Sequence, residues 1–321
     1  VVLTTASGLD ERVGTDGDRA GSIVVSHLTK DYGRIRAVDD LSFSAEPGTV
    51  TGFLGPNGAG KTTTLRCLLG LIRPTKGTAT IGGRRYADLA RPLQTVGAAL
   101  EASSFHPGRT ARNHLRVLCA AAGLPDGRAD EVLGLTGMQE SADRRVGGFS
   151  TGMRQRLGLA TALLGDPAVL VLDEPATGLD PAGITWLRQL LRYFAADLGK
   201  TVLVSSHLLD EMEHIADDIV IIAGGRLVRR GPLAELVGRA GAVRARSPEP
   251  DRLLAALRQA GLAADAVDGA VVARTADPAL VGHLAFVHHI ELSELTGERS
   301  DLEDVFLSLT GADGGAEGQQ P

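Results

Sequence analysis

Residues 55–62 read GPNGAGKT, which places glycines, one lysine and one hydroxyl at the spacing GxxxxGK[ST] of a phosphate-binding P-loop. Each residue type has a task in that chemistry. Gly55, Gly58 and Gly60 lack a Cβ, so the run Gly55, Pro56, Asn57, Gly58, Ala59 and Gly60 can curl its backbone N–H groups, present on every residue but Pro56, inward toward phosphate oxygens. Lys61 can reach the β- and γ-phosphates, the Thr62 hydroxyl can serve magnesium, and Thr63 opens the helix whose N-terminus faces the phosphates. A second run, VLVLDE at 169–174, ends an apolar stretch in two carboxylates. In a P-loop enzyme, Asp173 is expected to hold magnesium through water, and Glu174 to polarise a water against the γ-phosphate. The chemistry implied is binding and hydrolysis of ATP with magnesium.

Such groups need rigid neighbours. TVTGFL at 49–54 has the pattern of a buried strand feeding the loop, and TTTLRCLLG at 62–70 that of the helix leaving it. Further buried strands are expected at AVLVLD (168–173), TVLVSS (201–206) and IVIIAGG (219–225), separated by a helix that starts at Pro181. That alternation predicts a mostly parallel sheet covered by helices. Upstream, two strands meeting at Gly33 and a strand with its turn at 78–85 predict a separate β lobe. Residues 109–165 are dominated by helical patterns. Near residue 240 the texture changes, and AVRARS, PDRLLAALRQAG, AADAV, AVVARTA, DPALVGHLA and FVHHIEL suggest a βαββαβ order, with FVHHIEL as its last strand. SDLEDVFLSLTG at 300–311 has a capping box at Ser300 and Glu303 and an apolar stripe, the signature of a further helix.

Composition narrows the function. The 321-residue chain is 43% hydrophobic and 22% charged, the profile of a globular protein long enough for two domains. A net charge of −6 and only 3% aromatic residues disfavour nucleic acid as a partner. The two cysteines, Cys67 and Cys119, have no metal-ligand spacing and are expected to be reduced, with Cys67 and the single tryptophan, Trp186, in the core. No apolar stretch approaches the roughly 20 residues of a membrane helix, so the chain is not expected to cross a membrane by itself.

With these runs in hand, the chain resembles the ATP-binding subunit of an ABC transporter. FSTGMRQR at 149–156 is similar to that family's signature, with Ser150 and Gly152 at the phosphate-contacting positions; Thr151 and Met153 depart from the usual pattern. PATGLDP at 175–181 resembles the D-loop, with Asp180 as its acidic residue; SSH at 205–207 puts His207 at the switch-histidine position; Tyr32 matches the aromatic that stacks on adenine. At the place where the family usually carries Gln, this chain has Glu101, which resembles a branch of drug and bacteriocin-type exporters.

The resemblance implies an α/β P-loop NTPase fold, with a RecA-like core, an antiparallel β lobe and a helical subdomain, followed by a small C-terminal α+β module. The expected limits are a disordered tail over 1–21, an ATP-binding domain over 22–238 with its helical subdomain at about 102–162, an accessory module over 239–310, and a second tail over 311–321. It also implies roles: catalysis by Lys61, Glu174 and His207, metal binding by Thr62, Asp173 and Glu101, and nucleotide contacts from Tyr32, Glu101, Ser150, Gly152 and Asp180. Two such subunits, identical or not, would share two ATP molecules. An integral membrane permease would dock near residues 101–116, holding the chain at the cytoplasmic face of the membrane. Importers and soluble regulatory ATPases carry the same cassette; the segment at Glu101 and the helix at 300–311 favour export.

Overall fold

The computed structural model describes residues 21–100, 105–207, 209–238, 242–275 and 277–298. Residues 1–20 of the expected first tail, the second tail, Glu101 and the helix at 300–311 lie outside them. The chain forms two compact units, divided between Arg230 and Gly231, where the sequence reading set the limit at 238.

Unit 1 begins with the β lobe. Strands β1 (Ile23–Tyr32) and β2 (Ile35–Ala45) form an antiparallel hairpin whose turn contains Gly33. The fourth strand in the chain, β4 (Lys76–Ile81), joins the other edge of β1 to give the order β2-β1-β4. Buried Ile23, Val25, Phe43 and Ile81 set one face of this lobe against the main sheet, where Phe43 stacks on Phe53 at 5.0 Å between ring centroids. Full burial of side chains of this size contributes about 1.5–3 kcal/mol each.

The main sheet has six strands in the order β5-β6-β7-β3-β8-β9. They are β3 (Val50–Leu54), β5 (Val96–Ala99), β6 (Val169–Asp173), β7 (Thr201–Ser206), β8 (Asp218–Ala223) and β9 (Arg226–Pro232). Strands β5, β6, β7, β3 and β8 run parallel. Every residue of β3, β6 and β7 is buried, which explains why their sequences are apolar or small-hydroxyl apart from Asp173 at the end of β6: both faces are covered. Helix α1 (Lys61–Leu68) follows β3, and the single-turn helix α2 (Pro92–Thr95) precedes β5. The carboxyl ends of β3, β6 and β7 converge at the centre of the sheet, where an open parallel sheet positions a ligand.

A helical arm is inserted between β5 and β6. It consists of α3 (Ala111–Ala122), capped by Thr110 and stopped by left-handed Gly123, then α4 (Gly127–Leu135) and α5 (Thr151–Ala162). Helix α6 (Pro181–Arg192) follows β6, starts at Pro181 as expected, and ends in a wide π-type turn over Tyr193–Asp197. Trp186 on α6 is only half-buried: the Arg156 guanidinium lies 4.2 Å from its ring centroid, so a cation covers the face that was expected to be in the core. Cys67 is buried as expected, and burial pushes its thiol pKa up. Short helix α7 (Leu209–Glu213) precedes β8.

Unit 2 starts within the end of β9, continues through helix α8 (Leu233–Gly238), and builds β10 (Ala242–Arg246), α9 (Pro250–Gln259), β11 (Ala264–Val267), β12 (Ala270–Ala273), α10 (Pro278–Val287) and β13 (Glu294–Glu298). The sheet order β11-β12-β10-β13, all antiparallel, is the split βαβ arrangement of a ferredoxin-like fold. Leu253 and Leu257 of α9 and Val281 and Ala285 of α10 share its core with Val243, Ala245 and Val271. The βαββαβ order holds, but its last strand is not FVHHIEL. Phe286 and Val287 finish α10, because buried Val281 and Ala285 keep the helical spacing, and the strand begins eight residues after Phe286, at Glu294.

Candidate active site

Strand β3 delivers the chain into the loop 55–60, which closes on itself through the Ala59 N–H to the Pro56 carbonyl (3.1 Å). Gly60 sits at φ +102°, and a Cβ there would lie 2.4 Å from the Ala37 carbonyl oxygen of β2. Only glycine meets both demands. Residues 56–63, with Ala37 and Glu174, line a cavity of about 250 Å³. Helix α1 opens on its floor with no side-chain cap, so its first N–H groups are available to an anion. The Lys61 side chain is 6% exposed, and its ammonium donates to the carbonyls of Gly55 (2.6 Å) and Pro56 (3.4 Å). These bonds hold the cation beneath the loop.

The other wall is the end of β6. The Thr62 hydroxyl donates to Asp173 Oδ2 at 2.7 Å, and the Ser205 hydroxyl donates to Asp173 Oδ1. Glu174 adopts φ +50°, a left-handed conformation for a non-glycine residue. Its backbone is held on both sides. The N–H donates to the Ser205 carbonyl (3.2 Å) and hydroxyl (3.1 Å), while the carbonyl accepts from Gln155 Nε2 of α5 at 2.8 Å. The carboxylate is shared: Oε1 lies 3.5 Å from Lys61 Nζ, and Oε2 lies 2.7 Å from His207 Nδ1. Against an ionised carboxylate, which only accepts, Nδ1 carries the proton.

Lys61, Thr62, Asp173, Glu174 and His207 are therefore brought together, as the sequence predicts. The pair Thr62 and Asp173 supplies hard oxygen donors beside a loop whose backbone leaves room for phosphate, a donor set that fits magnesium. Among the described residues no cluster of three or more acidic, histidine or cysteine side chains offers an all-protein metal site, so substrate oxygens and water would complete the coordination.

Tyr32, Ser150, Gly152 and Asp180 do not line this cavity. Tyr32 ends β1, 46% exposed, with the Lys30 ammonium 4.9 Å from its ring centroid. Ser150 caps α5 by accepting the Met153 N–H (3.3 Å), and Asp180 caps α6 by accepting the Gly183 N–H (2.8 Å). Gly152 packs against the following loop: a Cβ on it would be 3.1 Å from the Gly178 carbonyl oxygen. Leu100 and Phe105, which flank the undescribed segment containing Glu101, border a second cavity of about 240 Å³ between the arm and the main sheet. Two residues around Glu174 were not anticipated. Ser205 stands two positions before His207, and a buried hydroxyl that follows the apolar run of residues 202–204 is a signal that it has a polar partner. Gln155 lies inside the signature run, but nothing local in that run points to Glu174.

Comparison with known proteins agrees with this geometry. The ABC transporter family profile matches residues 38–177, and a domain of unknown function (DUF8746) matches residues 241–303. The chain is 42% identical over 219 residues to the "Bacitracin transport ATP-binding protein BcrA" of Bacillus licheniformis, covering 68% of this chain and 72% of that protein. It is 36% identical over 292 residues to the "Uncharacterized ABC transporter ATP-binding protein YhcH" of Bacillus subtilis (strain 168), covering 89% of this chain and 95% of that protein. A solved "Structure of ATP binding subunit of ABC transporter" superposes with a TM-score of 0.61 at 29% identity, over 67% of this chain and 91% of that one.

Proposed function

The chain belongs to the ATP-binding proteins of ABC transporters and is an ATPase of that family; from this premise we propose that it powers export of an antibiotic, drug, peptide or lipid through a separate membrane permease. The observation that carries the ATPase reading is the set of contacts that joins Lys61, Thr62, Asp173, Glu174 and His207 beside the loop, where Lys61, Thr62 and Glu174 line the cavity, Asp173 accepts from Thr62 and His207 meets Glu174. Similarity to a bacitracin transport protein supports the export reading and the substrate class.

In this mechanism the loop N–H groups of residues 57–63 and the α1 N-terminus bind the phosphates of ATP, and Lys61 moves from its Gly55 and Pro56 carbonyls toward the β- and γ-phosphates. Magnesium, held through Thr62 and Asp173, would neutralise the charge that builds on the phosphates. Glu174 orients the attacking water and accepts its proton. His207, hydrogen-bonded to the same carboxylate through Nδ1, fixes its aim. Tyr32 is assigned to the adenine ring and Glu101 to the magnesium side of the site.

Ser150 and Gly152 are assigned to the nucleotide of a second subunit. Neither residue lines its own chain's cavity, which supports a shared arrangement in which two ATP-binding subunits enclose two nucleotides. Closure uses the binding energy of both nucleotides, and hydrolysis reopens the pair. No described helix is long and apolar enough to cross a membrane, so the permease supplies the transmembrane path; the chain would sit peripherally at the cytoplasmic face. The unit beyond Arg230 is an accessory module.

The test is coupled export in vesicles containing the purified subunit and a membrane permease that co-purifies with it. Bacitracin-class peptide should raise the ATPase rate and be transported. ATP turnover without any such stimulation by candidate antibiotics, peptides or lipids would sink the export assignment while leaving the ATPase intact.

A further inference from the structure

The Glu174 backbone is gripped from two directions, and one grip comes from outside the main sheet. Ser205 holds the N–H side from the adjacent strand β7, a contact within the rigid core. Gln155 holds the carbonyl side from α5, a helix of the inserted arm. Helix α5 starts at Ser150, the cap whose first turn also packs Gly152 against Gly178, four residues after Glu174. Gln155 follows Ser150 by five residues in the same helix, so the two move together. The left-handed Glu174 conformation is costly for a residue with a side chain and persists only where its surroundings enforce it.

We propose that Gln155 is a positioning residue that couples α5 to the catalytic carboxylate: its amide holds the Glu174 carbonyl so that the side chain is aimed at the γ-phosphate only while α5 is seated against β5. The inference rests on Glu174 as the residue that orients the attacking water. Its consequence is a direct mechanical line within one subunit. A shift of the signature end of α5, where the second subunit's nucleotide is assigned, reaches this subunit's own Glu174 through a single hydrogen bond. Arg156 strengthens the seat, donating to the Thr136 carbonyl at 3.1 Å and covering Trp186 of α6. It does not touch Glu174.

The test uses the full chain. Gln155→Met keeps the length of the side chain and removes the donor; Gln155→Glu keeps the shape and replaces the donor with an acceptor. Both should lower kcat by about 10- to 100-fold, the scale of a small misplacement of a reacting group. KM should stay within about twofold, because the grip acts on orientation and not on substrate binding. Affinity for the non-hydrolysable analogue AMP-PNP and the thermal midpoint should remain parental in at least one of the two variants. The decisive arm is the double variant. If Gln155 acts through Glu174, adding Gln155→Met to Glu174→Gln costs no further rate, whereas a general loosening of the arm would multiply the two losses. A parental kcat in both single variants, or multiplicative losses in the double variant, overturns the proposal. Parental hydrolysis by Glu174→Gln alone would instead remove the catalytic reading on which it stands.

Discussion

Gly60→Ala isolates what the loop geometry requires of its sequence. Gly58 and Gly60 both have positive φ, at +82° and +102°, but their surroundings differ. A Cβ on Gly58 meets nothing within 4 Å, whereas one on Gly60 lies 2.4 Å from the Ala37 carbonyl oxygen, about 1 Å inside the usual carbon–oxygen contact. The first substitution therefore carries mainly the left-handed penalty of about 1–2 kcal/mol. The second adds an overlap with backbone that cannot swing away, since Ala37 belongs to a paired strand. Relieving it requires the loop or β2 to shift, and a total of about 3–4 kcal/mol follows from adding a backbone clash to the dihedral cost. If the loop yields, ATP affinity falls by two orders of magnitude or more, because each 1.4 kcal/mol is tenfold. If β2 yields, the loss appears as a lower urea midpoint. Calorimetric titration with AMP-PNP and urea unfolding, on both alanine variants, read the two routes. Equal behaviour of Gly58→Ala and Gly60→Ala in both assays would refute the contact argument.

Two further outcomes follow from the same structure. Thr62→Ala removes the hydroxyl that donates to Asp173 at 2.7 Å and should weaken AMP-PNP binding more in magnesium than in EDTA; an equal loss in both would contradict the metal-side assignment of Thr62. His114, edge-on to Phe105 and near Thr161, has its pKa pushed below the ordinary 6.5, first by burial and then by Arg109. The unfolded chain therefore takes up a proton that the folded chain resists, so this contribution to stability is intact above pH 6.5 and is lost as pH falls toward the depressed folded value. The urea midpoint of His114→Phe should fall less between pH 7 and pH 5.5 than the parental one, by an amount set by about one proton. An identical slope in the two proteins would exclude His114 as the source.

What could be read in the sequence followed from how local its cause was. The loop at 55–62 and the apolar strand ending at Asp173 and Glu174 are contiguous runs whose composition states their conformation and their chemistry. The βαββαβ order of the second unit was legible for the same reason, through turn residues and periodicity. The short run FVHHIEL was not: an apolar stretch of this length suits either a helix end or a strand, and only packing of Val281 and Ala285 decides for the helix. Trp186 was misjudged because its covering partner, Arg156, is 30 residues away and charged. Ser205 and Gln155 were missed because their contacts to Glu174 span 31 and 19 residues, and depend on strand order and on the seating of an inserted arm. A sequence motif identifies the group that does the chemistry more readily than the groups that aim it.

The central claim is that Glu174 performs hydrolysis in a cavity built by residues 56–63, and Glu174→Gln tests it most directly. The substitution keeps the size and the polar contacts open to His207 while removing the proton acceptor. Phosphate release under saturating magnesium-ATP should fall by about 10²-fold or more, the usual scale for loss of a general base, while ATP binding is retained. Phosphate release at the parental rate by a variant that binds ATP normally would contradict the account.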